Sequence, residues 1–107
     1  MKPIVDEVAR RLRDELKAKI EDFEGLYIFG SQVRGDAKEG SDVDIVLLFG
    51  QDYFSMPDAY YDIMFQMGVE YFEVIDMDVH TYTREQLDFN YRFHDEVVNK
   101  GVFYGVS

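Results

Sequence analysis

Apolar residues recur along the first half of the chain with two different spacings, one typical of helices and one typical of strands. Near the N-terminus they return every three to four positions: Ile4, Val5, Val8, Leu12, Leu16 and Ile20. With charged residues between them, this pattern predicts an amphipathic helix from Pro3 to about Ile20. A continuous apolar run over Leu26–Phe29 predicts one strand, and the segment Asp42–Phe49, which is apolar apart from its two aspartates, predicts a second. The polar residues 32–41 predict a loop, or a loop with one helical turn.

The second half of the chain gives a looser pattern. Residues from Pro57 to about Met67 favour a helix. Residues Tyr71–Tyr82 alternate in character, which predicts a third strand. One face of that strand would carry Ile75, Met77, Val79 and Thr81, and the other Asp76, Asp78, His80 and Tyr82. The third strand is therefore expected to be acidic on one side.

The C-terminal quarter contains a helix start signal. Thr83 is a candidate N-cap for a helix over Arg84–Asn99, and Gln86 occupies the third helical position, as in a capping box. Gly101 would end this helix, and Val102–Val106 predicts a short edge strand. The elements together predict one α/β (α+β) domain over residues 1–107, with a small mixed or antiparallel sheet covered by helices on one face.

Composition narrows the classes of function. A chain of 107 residues has room for one hydrophobic core, so its chemistry takes place in one site or at an interface. A net charge of -11 argues against binding nucleic acid through its phosphates, and fits a basic protein partner or a metal-chelated anion. No cysteine and no apolar leader or membrane-spanning run are present, so we expect a soluble, cytoplasmic protein.

Aromatic residues are concentrated in the middle of the chain. Seven lie within twenty positions: Tyr53, Phe54, Tyr60, Tyr61, Phe65, Tyr71 and Phe72. Packing in the core accounts for most of them, because aromatic side chains bury large apolar areas. A domain this small is expected to leave some on a surface patch that meets a partner.

The chemistry suggested by the sequence centres on residues 28–46, IFGSQVRGDAKEGSDVDIV. Asp42 and Asp44 lie one residue apart on a predicted strand, so their side chains point to the same face and could hold one cation. Gly30 allows a close backbone approach, and Ser31 offers a hydroxyl and an N–H group. These are the groups that a metal-bound polyphosphate needs, so the segment predicts nucleotide chemistry.

Two further groups complete this candidate site. Mg²⁺ is held by one or two protein carboxylates together with phosphate oxygens and water, and a second metal ion would need another carboxylate from a neighbouring strand. Asp78 and Asp76 are the candidates for that carboxylate. Arg34 could neutralise a phosphate on the leaving side with its fork of donors.

Ordinary structural roles compete with these assignments. Asp42 and Asp44 alone would suit a solvent-facing strand edge that is protected against pairing. Asp36 and Glu39 are expected to be solvated loop charges, and His94 is expected to be exposed. For His80 we expect a surface position or the edge of the site rather than a catalytic role.

The segment GSQVRGDAKEGSDVDIVLLF resembles the active-site motif of the minimal nucleotidyltransferases in the polymerase-beta superfamily, which is Gly-Ser, ten residues, then Asp-x-Asp. The resemblance extends over almost the whole chain, including the acidic third strand and the closing KGVFYG. It implies that Gly30 and Ser31 contact the triphosphate, that Asp42 and Asp44 bind the metal ions, and that Arg34 and Gly35 match the family's Arg-Gly. It favours Asp78 over Asp76 as the third carboxylate.

The resemblance also implies a partner and a reaction. Stand-alone proteins of this kind are commonly antitoxins paired with a HEPN-domain ribonuclease toxin, and some transfer AMP from ATP to a tyrosine hydroxyl of that toxin. The expected cofactor is Mg²⁺, with ATP as substrate and a two-metal site. Two alternatives stay open: an antitoxin that neutralises its toxin by binding alone, and a nucleotidyltransferase that acts on a small molecule or on RNA.

Overall fold

The computed structural model describes residues 1–38 and 40–106, and for Tyr91 and Arg92 the backbone alone. Five α-helices and a π-helical turn alternate with four strands. The helices are α1 Pro3–Lys19, α2 Ser31–Arg34, α3 Asp58–Tyr71, α4 Arg84–Phe89 and α5 Tyr91–His94, and α5 continues into the π-helical turn Asp95–Asn99. The strands are β1 Phe23–Phe29, β2 Val43–Phe49, β3 Met77–Tyr82 and β4 Val102–Gly105. The predicted α/β fold with a small mixed sheet is confirmed.

The four strands form one mixed sheet in the order β3-β2-β1-β4. Strand β1 pairs antiparallel with both β2 and β4. Strand β3 pairs parallel with β2, since α3 carries the chain back to the end of the sheet where β2 begins. The strands that carry Asp44 and Asp78 therefore start side by side.

One face of the sheet packs against α1 and α3. The apolar stripe of α1 meets the inward side chains of β1 and β2, and α3 adds Ile63, Met67 and Tyr71, which are spaced four residues apart. The largest fully buried side chains of this core cluster include Leu12, Leu47 and Phe49. This face holds most of the hydrophobic core.

The opposite face is covered as well. Leu87 of α4 and Val97 of the π-helical turn pack on Tyr27, Phe29 and the β2 side chains Val46 and Leu48. The expectation of helices on one face alone is wrong. Residues of β1 and β2 are apolar on both sides, and a strand that is apolar on both faces needs cover on both.

Helix α1 ends within one residue of its predicted end, and the capping box at the start of α4 is confirmed. There the Thr83 side chain accepts a hydrogen bond from the Gln86 amide at 3.1 Å, and the Gln86 side chain accepts one from the Thr83 amide at 2.9 Å. The single predicted helix over Arg84–Asn99 is interrupted at Asn90, whose side chain accepts a hydrogen bond from Phe93 N and caps a new helix.

The third strand is shorter than predicted. It begins at Met77, because α3 continues through Tyr71, where the ring is buried and its hydroxyl accepts a hydrogen bond from Arg11. The predicted edge strand at the C-terminus is confirmed as β4. Within residues 1–38 and 40–106, no helix combines the length and apolar character needed to cross a membrane.

Candidate active site

The central feature of the site is a pair of carboxylates on adjacent parallel strands. Asp44 of β2 lies opposite Asp78 of β3 in the register, and opposite Phe29 of β1 on its other side. Paired residues of neighbouring strands project to the same face of a sheet, so both carboxylates lie on the face that carries α4 and α5. Asp78 is exposed, whereas Asp44 is partly buried between its neighbours.

The environment of Asp44 opposes its negative charge. Burial raises the pKa of the Asp44 carboxyl above its usual value, and the nearby charges of Asp78 and Asp42 raise it further. His80 and Arg34 act in the opposite direction and lower this pKa, but the net shift is upward. Three acids thus interact at one place without enough positive charge among their neighbours, an arrangement that favours a bound cation.

Gly30 makes room for Asp44. Its backbone has φ 79° and ψ -151°, a conformation that is essentially restricted to glycine. A Cβ atom at this position would overlap Oδ2 of Asp44. Two features therefore require glycine at this position: the sharp turn out of β1 and the close approach of the Asp44 carboxylate.

Ser31 begins the single helical turn α2 directly after that glycine. Val33 N and Arg34 N donate to the Gly30 carbonyl at 3.1 and 3.0 Å, and Gly35 closes the turn in the left-handed conformation. The buried Gln32 donates from its side chain to the Ser41 carbonyl at 3.5 Å, which connects the turn to the end of the loop. The loop thus returns directly to the aspartate pair.

Arg34 is engaged in ion pairs. Its Nη1 donates to Glu96 Oε1 of the π-helical turn at 2.5 Å, and its Nε lies 3.4 Å from Asp36 Oδ1. Glu96 is the principal cause of the raised pKa of the Arg34 guanidinium. Glu96 could not be identified from the sequence, because 62 positions separate it from Arg34 and no local pattern connects the two residues. Asp36 is exposed, as expected, whereas Glu39 lies outside the described residues.

The two remaining acids occupy different places. Asp42 is exposed, immediately before β2, and its charge acts on Asp44. Asp76 immediately precedes β3, where its carbonyl accepts a hydrogen bond from Val43 N at 2.7 Å. Its side chain lines a cleft of about 320 Å³ with Lys2, Gln32 and Ser41, and its charge is not among the principal influences on Asp44. The geometry thus places Asp78, rather than Asp76, beside Asp44.

His80 lies beside the site. Its Nε2 is 3.4 Å from Oδ2 of Asp78, and its ring is stacked with Tyr82 at an interplanar angle of 18°. Phe93 of α5 contacts the same ring edge-on, at 5.9 Å between centroids. The expectation for His80, a residue at the site edge, agrees with this position. His94, expected to be exposed, is partly buried with Nε2 3.2 Å from Asp88.

The donor set is suited to a hard divalent cation, because Asp42, Asp44 and Asp78 supply only oxygen ligands. In the part of the chain that the structure describes, no three acidic or imidazole groups converge closely enough to form a complete metal site on their own. Mg²⁺ takes one or two protein carboxylates and completes its shell with phosphate and water, so these residues fit it. Asp42 and Asp78 are exposed, so the site is open to solvent. A cleft of about 710 Å³ lies at the opposite end of β2 and β3, beside Phe49 and Tyr82 and away from these carboxylates.

Several solved structures share the fold of this chain, among them the following three. A protein from Sulfolobus solfataricus assigned as a nucleotidyltransferase is 20% identical, covers 92% of this chain and 77% of its own, and gives a TM-score of 0.59. A toxin–antitoxin complex with AMP-PNP gives 20% identity, 95% and 74% coverage and a TM-score of 0.62. The third match is in the complex of a tri-AMPylated Shewanella oneidensis HEPN toxin with an MNT antitoxin. It has 16% identity, covers 94% of this chain and 72% of its own, and gives a TM-score of 0.53.

No curated protein matches the chain significantly. The family model of the nucleotidyltransferase domain matches residues 9–105, a span that contains both the Gly30 turn and all the candidate carboxylates. Because this match covers nearly the whole sequence, the chain belongs to the nucleotidyltransferase domain family.

Proposed function

We propose that this protein transfers AMP from ATP to a tyrosine hydroxyl of a partner HEPN toxin and thereby acts as an antitoxin. The observation that carries the proposal is the position of Asp44, which lies between the Gly30 turn and Asp78 with its pKa raised by burial and by neighbouring acids. A triphosphate with its cations would satisfy these acids and use the open turn.

In the proposed site Asp42, Asp44 and Asp78 would hold the divalent cations. When bound, Mg²⁺ neutralises the triphosphate and makes the attacking hydroxyl more acidic. Gly30 lets the backbone approach the phosphates closely, and Ser31 offers its hydroxyl and amide to them. The chain itself thus binds and orients the reactants, which is the main task of the protein in phosphoryl transfer.

Arg34 would stabilise the departing pyrophosphate. Its side chain is about half exposed and reaches from α2 to Glu96, so it lies next to the motif without being enclosed. A guanidinium can exchange a carboxylate for a phosphate without changing its planar donor geometry. In this proposal the ion pair with Glu96 positions the Arg34 guanidinium, which exchanges Glu96 for a phosphate when the nucleotide binds.

The reaction balances with ATP and one hydroxyl as reactants. The tyrosine oxygen forms a bond to the α-phosphorus, and the bond from that phosphorus to the oxygen bridging to the β-phosphate breaks. Pyrophosphate leaves with the bond electrons, and the hydroxyl proton passes to solvent. The products are a tyrosine that carries AMP and free pyrophosphate.

Two observations support a HEPN toxin as the acceptor. The fold is shared with chains in toxin–antitoxin structures, one of which contains AMP-PNP and another a tri-AMPylated HEPN toxin. The net charge of -11 also favours a basic partner over an RNA acceptor, since nucleic-acid binding needs clustered Lys and Arg.

The direct test is transfer of labelled AMP from ATP to the purified HEPN toxin in the presence of Mg²⁺. We expect Asp42→Asn and Asp44→Asn each to reduce the rate on the order of a thousandfold, because a lost metal ligand removes several kcal/mol of transition-state stabilisation. Asp52→Asn, an exposed acid at the other end of β2, is the matched control and should retain full activity.

Absence of transfer by the wild-type protein would contradict the proposal. So would an Asp42→Asn/Asp44→Asn double variant that protects cells from the toxin as well as the wild type does. That second result would favour an antitoxin that acts by binding alone. Transfer to RNA or to a small molecule in preference to the toxin would support the other alternative.

A second experiment separates the two candidates for the third carboxylate. Asp78→Asn should reduce transfer at least a hundredfold, because Asp78 faces Asp44. Asp76→Asn should change it less than about threefold, because Asp76 lines the neighbouring cleft and its charge is not among the principal influences on Asp44. The two variants remove the same charge from positions two residues apart. Equal losses for both would contradict the assignment of Asp78.

A further inference from the structure

The outward side of α3 carries a row of large apolar side chains. Its members, here called the α3 stripe, are Tyr61, Phe65 and Val69 of the helix and Phe72 at its C-cap, which are 54%, 73%, 57% and 66% exposed. Their spacings of four, four and three residues place them within a sector of about 80° around the helix axis. Isolated exposed apolar residues are common, but a continuous row on one helix face is typical of a binding surface.

The core does not require this row. Helix α3 already packs on the sheet side through Ile63, Met67 and Tyr71. A surface helix needs one apolar face, and the opposite face is normally polar. The α3 stripe is therefore a second apolar face, and it becomes stabilising only when another surface covers it.

The surroundings of the α3 stripe are acidic. Residues 39–83 contain ten acidic residues and no lysine or arginine, so they account for ten of the eleven net negative charges. Asp58 and Asp62 on the helix are exposed beside the stripe, and so is Glu73 in the turn that follows it. Glu70 of α3 lies farther around the helix from the stripe and forms an ion pair with Arg11 of α1. The chain thus places its apolar surface within its most negative segment.

This charge selects among the possible occupants. A second copy of the chain would bring two acidic segments together, and like charges across an interface are unfavourable. Nucleic acid and anionic lipid surfaces would be repelled for the same reason. A protein that presents an apolar groove bordered by Lys and Arg matches both the apolar row and the acids beside it.

We propose that the α3 stripe is the docking surface for such a basic, grooved protein partner. The identification of this partner with the acceptor toxin rests on the proposed function, whereas the surface itself does not. Helix α3 ends at Tyr71, and the chain passes through Phe72 and Val74 into β3, which carries Asp78. A cleft lined by Phe72, Glu73 and Asp76 on one side and by Gln32 and Ser41 on the other joins the stripe to the motif loop.

The position of the docking surface would bring a bound partner close to the candidate active site. A partner held on the α3 stripe reaches the same end of the sheet as Asp42 and Asp44, since Val43 is hydrogen-bonded to Asp76 there. Docking outside the chemical site raises the local concentration of the acceptor hydroxyl without using the metal ligands. Loss of docking should therefore raise the KM for the partner and leave kcat unchanged.

Calorimetric titration of the chain with the purified HEPN toxin tests the proposal. We expect Phe65→Ser to raise the Kd at least tenfold, as for a central apolar contact, and Asp62→Lys to raise it about fivefold. The matched controls are Phe89→Ser and Glu85→Lys on α4, which change exposed residues of the same kinds outside the acidic segment and should alter the Kd less than about twofold. Added NaCl should weaken the wild-type complex.

Several results would overturn the proposal: no complex with the wild-type chain, a Phe65→Ser variant that binds like the wild type, or an equal loss with Phe89→Ser. Sedimentation that shows a wild-type dimer abolished by Phe65→Ser would also overturn it, because the occupant would then be a second copy. The Asp42→Asn/Asp44→Asn double variant should bind normally. Binding that depends on the stripe without any AMP transfer would overturn the proposed function and support the docking surface.

Discussion

The two faces of the sheet differ in what they bury. Among the residues that the structure describes, seventeen are buried in the core on the α1 and α3 face, but six on the opposite face. The opposite face carries Asp44, Asp78 and His80 at the start of β2 and β3, where the helical cover of α4 and α5 ends. The first face therefore supplies most of the stability, and the second face has room for charge.

This difference has a physical reason. Burial of a charged group costs several kcal/mol unless it is paired, so several carboxylates cannot share a fully covered sheet face. At the open end of β2 and β3, water reaches Asp42 and Asp78 and keeps the cost low, and Asp44 alone is partly buried. A well-packed opposite face allows the domain to tolerate this repulsion.

The largest expected effect on stability concerns the packed face. Leu12→Ala should destabilise the protein by about 3 kcal/mol, because Leu12 is fully buried between α1 and the sheet and its loss leaves a cavity. Urea unfolding followed by circular dichroism measures this change. Leu87→Ala on the other face is the matched comparison. A larger loss there would mean that the second face carries the main core.

Gly30→Ala should have an intermediate effect on stability and a large one on activity. The added Cβ overlaps Asp44 Oδ2, and the backbone conformation disfavours any other residue by roughly 1–3 kcal/mol. Gly40→Ala is the control, since Gly40 also has a positive φ but has no atom near a Cβ. Thermal unfolding and AMP transfer should show that the first variant alone loses activity. Equal activity losses would contradict the role of the close approach.

The smallest expected effect is a gain in stability from Asp44→Asn. The folded-state pKa of Asp44 is raised, so its ionised form is disfavoured, and the wild type loses stability relative to the variant as pH rises through that pKa. At pH 7 without metal we expect the variant to be more stable on the order of 0.5 kcal/mol, with no difference well below pH 4.

Mg²⁺ should reverse the stability difference between the wild type and Asp44→Asn, so that the wild type becomes the more stable of the two. A cation bound to the folded wild type raises its unfolding temperature, and Asp44→Asn weakens this response. Thermal unfolding at pH 7, with and without Mg²⁺, provides the measurement. A wild type that is more stable than the variant in the absence of metal would contradict the electrostatic account of the site.

Local sequence signals identified much of the fold. The periodicity of α1, the capping box at Thr83 and the turn at Gly30 each depend on residues within a few positions of one another, and all three were found in the sequence. The break at Asn90 was missed because Asn is tolerated within a helix pattern and its capping of α5 competes only weakly with continuation. The end of α3 was missed because alternation and helical spacing overlap around Tyr71.

The residues of the candidate site also fall into two groups, those grouped by the sequence and those brought together only by the tertiary structure. The sequence by itself determined Gly30, Ser31, Asp42 and Asp44 as a group, since a strand, a turn and a strand that are close in sequence must also be close in space. Only the tertiary structure decided that β3 lies parallel to β2, which places Asp78 opposite Asp44, that Arg34 reaches Glu96, and that helices cover both faces. Such pairings depend on the packing of distant segments, and no local pattern of residues encodes them.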